Sequence, residues 1–209
     1  MRLMVVSDLH DGRYADILPM LTGADALLVP GDVVDRYRQR SSRGLAFLRD
    51  AAAIVPTYFG MGNHEARLKG FAAFRTAAAE TGAHMLFNSI VRHGELAIGC
   101  WYQPEDYGHA DILPALAAEG GVRILLCHKP EDYMARLRGA QVELALAGHA
   151  HGGQIRIGGR GLYAPGQGIL PRYTYGVWDG RLIITSGASN AVPVPRWGNP
   201  CEVLRIDLD

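Results

Sequence analysis

The sequence predicts an α/β fold in which two β-sheets pack together, the first of them mostly parallel. Three observations carry that expectation. Short apolar runs alternate with stretches of helical spacing through the first 130 residues, the pattern of βαβ units. Each run is long enough for one buried strand and ends in a loop of Gly, Asp, Asn or His. Beyond residue 151 the composition changes to glycine, proline and hairpin signals, which suits a second, more antiparallel sheet. At 209 residues the chain is long enough to bury a full core, and no linker or repeat divides it, so one domain over 1–209 is expected.

The elements follow in order. Leu3 to Val6 is the first buried strand, and Ser7 to Gly12 is its exit loop. Ala15 to Leu21 has helical spacing, and Ala26 to Val29 is the second strand, opening into Pro30-Gly31-Asp32-Val33-Val34-Asp35. Ser41 or Ser42 is placed to cap a helix that runs to about Ala53. Ile54 to Phe59 is the third strand, closed by Gly60-Met61-Gly62-Asn63-His64-Glu65. An alanine-rich helix is expected over Gly70 to Thr81.

Met85 to Phe87, Ile90 to His93 and Leu96 to Cys100 read as shorter strands, antiparallel about the Gly94 turn. Asp111 to Glu119 is a helix interrupted early by Pro114. Val122 to Cys127 is a strand that His128 leaves, and Pro130 with Glu131 and Asp132 starts a helix. Leu144 to Ala147 is a strand ending in Gly148-His149-Ala150-His151. Val177 to Thr185 forms a hairpin about Asp179-Gly180, and Cys201 to Leu208 alternates as a closing strand.

Composition narrows the function classes. Formal net charge is zero, so no global field draws in nucleic acid or an anionic membrane. Cys100, Cys127 and Cys201 are widely spaced and form no CxxC pair, which points to reduced thiols, a cytoplasmic setting and no zinc knuckle. The first apolar run meets Asp8 too soon for a signal peptide, and no run approaches the ~18 residues of a membrane span.

The chemistry lies in the exit loops, which collect Asp8, His10, Asp32, Asn63, His64, His128, His149 and His151. Ligand sites of open α/β sheets lie at the C-terminal ends of strands. Taken singly, Asp8 and Asp32 read as helix caps, Asn63 as a turn residue and His128 as a satisfied strand-end histidine. Five strand ends carrying such residues together point to a metal site. Mixed oxygen and nitrogen donors without thiolate suit manganese, iron or zinc better than a Cys-based structural zinc.

Asp8-Leu9-His10, Gly31-Asp32-Val33-Val34-Asp35, Gly62-Asn63-His64-Glu65, His128 and Gly148-His149-Ala150-His151 resemble the complete motif set of the calcineurin-like metallophosphoesterases, in order and across most of the chain. The resemblance implies a four-layer αββα sandwich of two mixed sheets flanked by helices. It implies two divalent metal ions (Mn, Fe or Zn), one held by Asp8, His10, Asp32 and His151, the other by Asp32, Asn63, His128 and His149. Asp32 would bridge them, a bridging hydroxide would attack phosphorus, and His64 would protonate or stabilise the leaving oxygen. Asp35 would orient loops or ligands. Arg36 stands where GDxxDR phosphatases contact phosphate, with Tyr37 replacing their glycine. The tail from His151-Gly152-Gly153-Gln154 onward to Pro193–Pro195, Arg196 and Glu202 is similar to a bacterial branch that includes UDP-diacylglucosamine hydrolases.

The expected activity is hydrolysis of a phosphodiester or phosphomonoester, with small-molecule or nucleotide-like phosphodiesters favoured. A metal-dependent nuclease acting on DNA or RNA is the alternative, and it requires a basic groove beside the metals. A non-catalytic metal-binding scaffold is the second alternative, opposed by the intact ligand set and His64. Arg36, Arg38, Arg40 and Arg43 read as a solvated helix face, with an anion funnel as the competing reading. Trp101, Tyr102 and Tyr107 read as interior aromatics or a stacking wall, and residues 101–110 are a candidate lid.

Overall fold

Leu3 and Val5 point to one side of their strand, Met4 and Val6 to the other, and both sides are buried. That alternation builds the layers. The computed structural model describes residues 1–190 and 192–208; Ala191 and Asp209 lie outside them. Strands β1 Arg2–Val5, β2 Ala26–Val29, β3 Thr57–Gly60 and β4 His84–Leu86 run parallel side by side. Strands β5 Ser89–His93, β6 Leu96–Cys100, β7 Val122–Leu126 and β8 Leu144–Ala147 follow in a second sheet. Two small ladders come next, β9 Arg156–Ile157 with β10 Arg160–Gly161 and β11 Tyr163–Ala164 with β12 Gly168–Ile169. Strands β13 Gly176–Trp178 and β14 Leu182–Ile184 join the second sheet, and β15 Leu204–Asp207 returns antiparallel to β1. The strand orders are β15-β1-β2-β3-β4 and β13-β14-β8-β7-β6-β5.

Leu3, Val5, Leu28 and Tyr58 of the first sheet pack against Ile98, Ile124, Leu126 and Leu146 of the second. On the outer side of the first sheet, Met4, Leu27, Val29 and Phe59 meet Phe47, Leu48 and Ala51 of helix α1 (Ser42–Ala52). Phe74 and Ala78 of a further helix, Phe71–Ala79, close the same layer. The second sheet turns Ala97, Leu125, Ala145 and Ile184 outwards to Leu116, Tyr133 and Leu137. The result is helices, sheet, sheet, helices, as the motifs implied. The second sheet is parallel at its centre, β6-β7-β8-β14, and antiparallel at both margins.

Four expectations need correcting. Ala15 to Leu21 forms turns and a short 3₁₀ segment, Leu18–Leu21, because Pro19 removes a donor that an α-helix would need. Pro56 delays the third strand until Thr57. The run at 85–87 belongs to the first sheet as β4, parallel to β3, and only β5 and β6 pair about Gly94. Neither Ser41 nor Ser42 caps α1 through its side chain; Asp11 Oδ1 accepts the N–H groups of Arg43 (2.6 Å) and Gly44 (3.0 Å) instead. No helix among the described residues is long and apolar enough to cross a membrane.

Candidate metal centre

The exits of β1, β2 and β3 from one sheet and of β7 and β8 from the other converge at a single place. Asp8 and His10 follow β1, Asp32 follows β2, and Asn63 and His64 follow β3. His128 follows β7, while His149 and His151 follow β8. All eight side chains are buried. The backbone turns sharply to bring them there: Asp8, His10, Asp32, His149 and His151 all have positive φ, between 48° and 67°. Non-glycine residues rarely adopt this region, and such strain gathers where a site over-determines the chain.

Close approach of the loops also requires glycine at two positions. A Cβ on Gly148 would strike Ser7 Oγ and Asp8 Oδ2. At Gly31, with φ of 119°, it would lie 2.7 Å from Gly62 Cα and 2.9 Å from His128 Nδ1.

Asp32 is the centre of the cluster. Its Oδ1 accepts the His64 N–H at 2.8 Å. Its Oδ2 lies 3.1 Å from His128 Nε2 and 3.9 Å from both His10 Nε2 and His64 Nε2. Asp8 Oδ1 faces His10 Nε2 at 3.6 Å and His151 Nε2 at 3.7 Å. The two nitrogens His10 Nε2 and His151 Nε2 are 3.1 Å apart. Three overlapping groups could therefore hold a metal ion: Asp8, His10 and His151; His10, Asp32 and His64; and Asp32, His128 and His149. The second of these brings His64 nearer to the ligands than the motif reading assumed.

A buried polar atom tests the fit. Asn63 Oδ1 has no hydrogen-bond partner, an arrangement that costs about 1–3 kcal/mol unless a ligand completes it. His128 Nδ1–H donates to the Pro30 carbonyl at 3.0 Å, so Nε2 is turned to the centre, where it faces the Asp32 carboxylate. Holding a ligating ring through its other nitrogen is the usual way to fix its tautomer. The donor set, the orphaned Asn63 oxygen and the held His128 ring fit a divalent cation.

Electrostatics point the same way. Burial raises the Asp8 carboxyl, yet His151, His10 and His128 hold it below the usual carboxylate range. Burial likewise opposes ionisation of Asp32, and His128, His64 and His10 overcome it. Burial pushes His149 down to about 3 and His151 and His64 to about 4, which keeps these rings neutral. Burial works against the charge on His128, but Asp32 beside it raises the ring to about 9.

A cavity of about 590 Å³ opens over the centre, lined by His10, Asp32, Asn63, His64, His149 and His151 at its base. Arg36, Arg67 and Lys129 stand on its wall, with Tyr37, Tyr163 and Val194. Arg36 does border the site. Its guanidinium lies over the Tyr37 ring, 4.4 Å from the centroid, and donates to the Tyr37 hydroxyl at 2.6 Å. Asp35 accepts the N–H groups of Tyr37 and Arg38 and so shapes this loop. None of residues 101–110 lines the cavity; Trp101 and Tyr102 are buried in the core.

Residues 1–153 match the calcineurin-like phosphoesterase family. The chain belongs to that family. As a calcineurin-like phosphoesterase it shares 38% identity over 63 residues with the uncharacterized protein YpbG of Bacillus subtilis (strain 168), over 30% of this chain and 24% of that protein. Among solved structures it resembles the Thermus thermophilus sulfate thiohydrolase SoxB in complex with glycerol (TM-score 0.51, 13% identity, 89% of this chain, 51% of SoxB). It also resembles the Haemophilus influenzae NAD nucleotidase NadN (TM-score 0.47, 14% identity, 72% of this chain, 38% of that one). The chain thus spans about half the length of SoxB, and the match to YpbG covers about a quarter of that protein.

Three residues of this phosphoesterase centre were named in the sequence only as parts of a motif, a helix start and the tail, without a role at the site. Glu65, fully buried, accepts N–H groups of Gly62, Asp32, Val33 and Val34 at 2.8–3.2 Å and so ties the β2 and β3 exit loops together. Its position in the GNHE motif was the available signal. Glu131 Oε1 lies 3.4 Å from His149 Nε2. Arg196 donates to the carbonyls of Ser186 (2.7 Å) and Ser189 (2.6 Å), and its Nη2 lies 3.3 Å from His151 Nδ1.

Proposed function

We propose that this chain is a metal-dependent phosphodiesterase that works through two divalent cations. The observation that carries the reading is the position of Asp32 Oδ2 among imidazoles from both sheets, with Asn63 Oδ1 left unpartnered in the same cluster. One ion would be held by Asp8, His10, Asp32 and His151, the other by Asp32, Asn63, His128 and His149. When bound, the pair supplies Lewis-acid activation of the phosphoryl group and of a water molecule at neutral pH.

The protein's own groups do the rest. With His10 Nε2 engaged, that ring carries its proton on Nδ1, 3.1 Å from His64 Nδ1. The Arg36 N–H also points to His64 Nδ1 at 3.1 Å, while the Val34 carbonyl lies equally near. Two donors against one acceptor place the His64 proton on Nε2, which faces the centre. A ring depressed to about 4 is neutral at pH 7, so His64 offers a hydrogen bond from its N–H to the departing oxygen and keeps its proton. One such donor to developing negative charge typically contributes ~10²–10³-fold. Arg36 would hold a non-bridging oxygen. Exposed Tyr37 and Tyr163, with Val194, give the cavity aromatic and apolar walls for a nucleotide-like group. The free thiols of Cys100, Cys127 and Cys201 support placing the protein in the cytoplasm.

The test is hydrolysis of a bis-aryl phosphodiester beside an aryl monoester. Metal-stripped protein would be titrated with manganese, iron(II), zinc and magnesium. Turnover should need metal, favour the diester, vanish in Asp32→Ala and drop by ~10²–10³-fold in kcat in His64→Ala. Metal binding without turnover of either ester would return the chain to the scaffold reading.

A further inference from the structure

A second cavity, of about 560 Å³, adjoins the first. His10 and Val192 line both, so the two openings flank the metal centre. Arg13, Arg38, Arg40 and Arg43 line the second one. The arginines are not the solvated helix face expected from their spacing. Arg36 to Arg40 form a loop closed by the Asp35–Arg40 bridge, and only Arg43 lies on α1.

The carboxylates in this cavity are already engaged. Asp11 is taken by the N–H groups of Arg43 and Gly44, and Asp35 by those of Tyr37 and Arg38. Asp35 also pairs with the Arg38 side chain at 3.7 Å. Among the described residues, the exposed guanidinium groups of Arg13, Arg40 and Arg43 meet no carboxylate within 4.0 Å. Like charges gathered in a concave site repel one another, and a bound anion relieves that cost. The whole chain has zero formal charge, so this concentration is local to the site.

We infer that the substrate is a single-stranded nucleic acid whose backbone runs through both cavities, with the scissile phosphodiester at the metal centre. This rests on the phosphodiesterase reading above. A small diester would fill the first cavity and leave the second unused, whereas a strand carries a phosphate on either side of the one being cut. Arg36, Arg67 and Lys129 face it in one cavity, and Arg13, Arg40 and Arg43 in the other. Tyr37, 72% exposed beside the His64 ring, and Tyr163, 55% exposed, offer faces on which unpaired bases stack. Cleavage adds water across one P–O bond: oxygen joins phosphorus, the sugar oxygen leaves with a proton, and no other reactant is needed.

The experiment compares the manganese-loaded full chain with its Arg13→Gln/Arg40→Gln/Arg43→Gln variant. Substrates are a mixed-sequence single-stranded DNA and RNA of twelve nucleotides, the matching duplexes and the bis-aryl phosphodiester. The inference expects cleavage of a single strand, with kcat/KM reduced at least about tenfold in the variant and most of the loss in KM. The log–log salt dependence of kcat/KM should flatten by about 2, as three phosphate contacts at about 0.7 each are lost. Turnover of the aryl diester should stay within about twofold. Aryl-diester turnover with no cleavage of any strand overturns this inference and leaves the phosphodiesterase reading intact. Equal loss on strand and aryl diester, or a preference for duplex, also overturns it. Binding of the wild type, but not the variant, to anionic phospholipid vesicles, without strand cleavage, would reassign the arginines to a membrane surface.

Discussion

Glu65 holds two catalytic loops in place from beneath. Its carboxylate accepts four backbone N–H groups and has no contact with solvent. Glu65→Ala would strand those donors, and a buried donor without a partner costs about 1–3 kcal/mol. Loss of at least about 3 kcal/mol is therefore expected in urea unfolding, with an unchanged m-value if the native fold survives. Glu65→Gln keeps one acceptor oxygen but turns an NH₂ towards N–H groups, so its loss should fall between wild type and Ala. Gly148 makes the complementary case for an absent side chain. Gly148→Ala would press on Ser7 Oγ and Asp8 Oδ2, so it should cost about 1–3 kcal/mol and weaken metal binding measured by calorimetry. Gly139→Ala is the control: a Cβ there meets nothing within 4 Å and φ is not positive, so stability should stay within about 0.5 kcal/mol.

At the scale of the element, helix α1 is begun by a residue 32 positions away. Asp11 Oδ1 accepts the N–H of Arg43 and of Gly44, which a local cap would otherwise satisfy. Asp11→Ala should cost about 1 kcal/mol by thermal or urea unfolding, and Asp11→Asn should recover much of it. An equal loss in both variants would show that charge, not the acceptor, does the capping. The case also shows where sequence is legible and where it is not. Buried parallel strands announce themselves because both faces must be apolar, and β1, β2, β7 and β8 fall where their runs predict. The Asp179-Gly180 hairpin does too, since both residues take the positive φ that the turn demands. Local composition cannot say which sheet a short run joins, so β4 was misplaced. Nor can it show a cap supplied across the fold, or that Arg38 and Arg40 lie on a loop beside the site. The collection of Asp8, His10, Asp32, Asn63, His64, His128, His149 and His151 was visible, because each stands directly beyond a recognisable strand. Glu65, Glu131 and Arg196 were given no role at the site, because what they hold is defined only by contacts remote in sequence.

For the whole molecule, the centre is a seam between the two sheets. Asp8, His10, Asp32 and Asn63 come from the first, and His128, His149 and His151 from the second. An ion bound here joins both halves of the sandwich, so metal should raise the unfolding temperature and a chelator should lower it. At a free metal concentration 100-fold above Kd the gain is about 2.7 kcal/mol. The gain should also depend on pH, with a sign that the histidines fix. In the metal-free protein His128 sits at about 9, above its ordinary 6.5, because of Asp32. Its ion pair therefore stabilises the fold fully below pH 6.5 and is lost as pH rises through 9. At its steepest the loss from one such group is about 1.4 kcal/mol per pH unit. Metal must displace that proton, so affinity should climb between pH 6.5 and 9 while the stability of the stripped protein falls. His149, His151 and His64 act at the other end: lowered to about 3, 4 and 4, they favour the fold above pH 6.5, an advantage lost as pH drops towards those values. Thermal melts of stripped and manganese-loaded protein from pH 5 to 9 would read both limbs, and calorimetry in two buffers of different ionisation enthalpy would count the protons released. Release near pH 7.5 that vanishes in His128→Asn supports the displacement; a metal increment flat from pH 6 to 9 would mean that His128 is not a ligand.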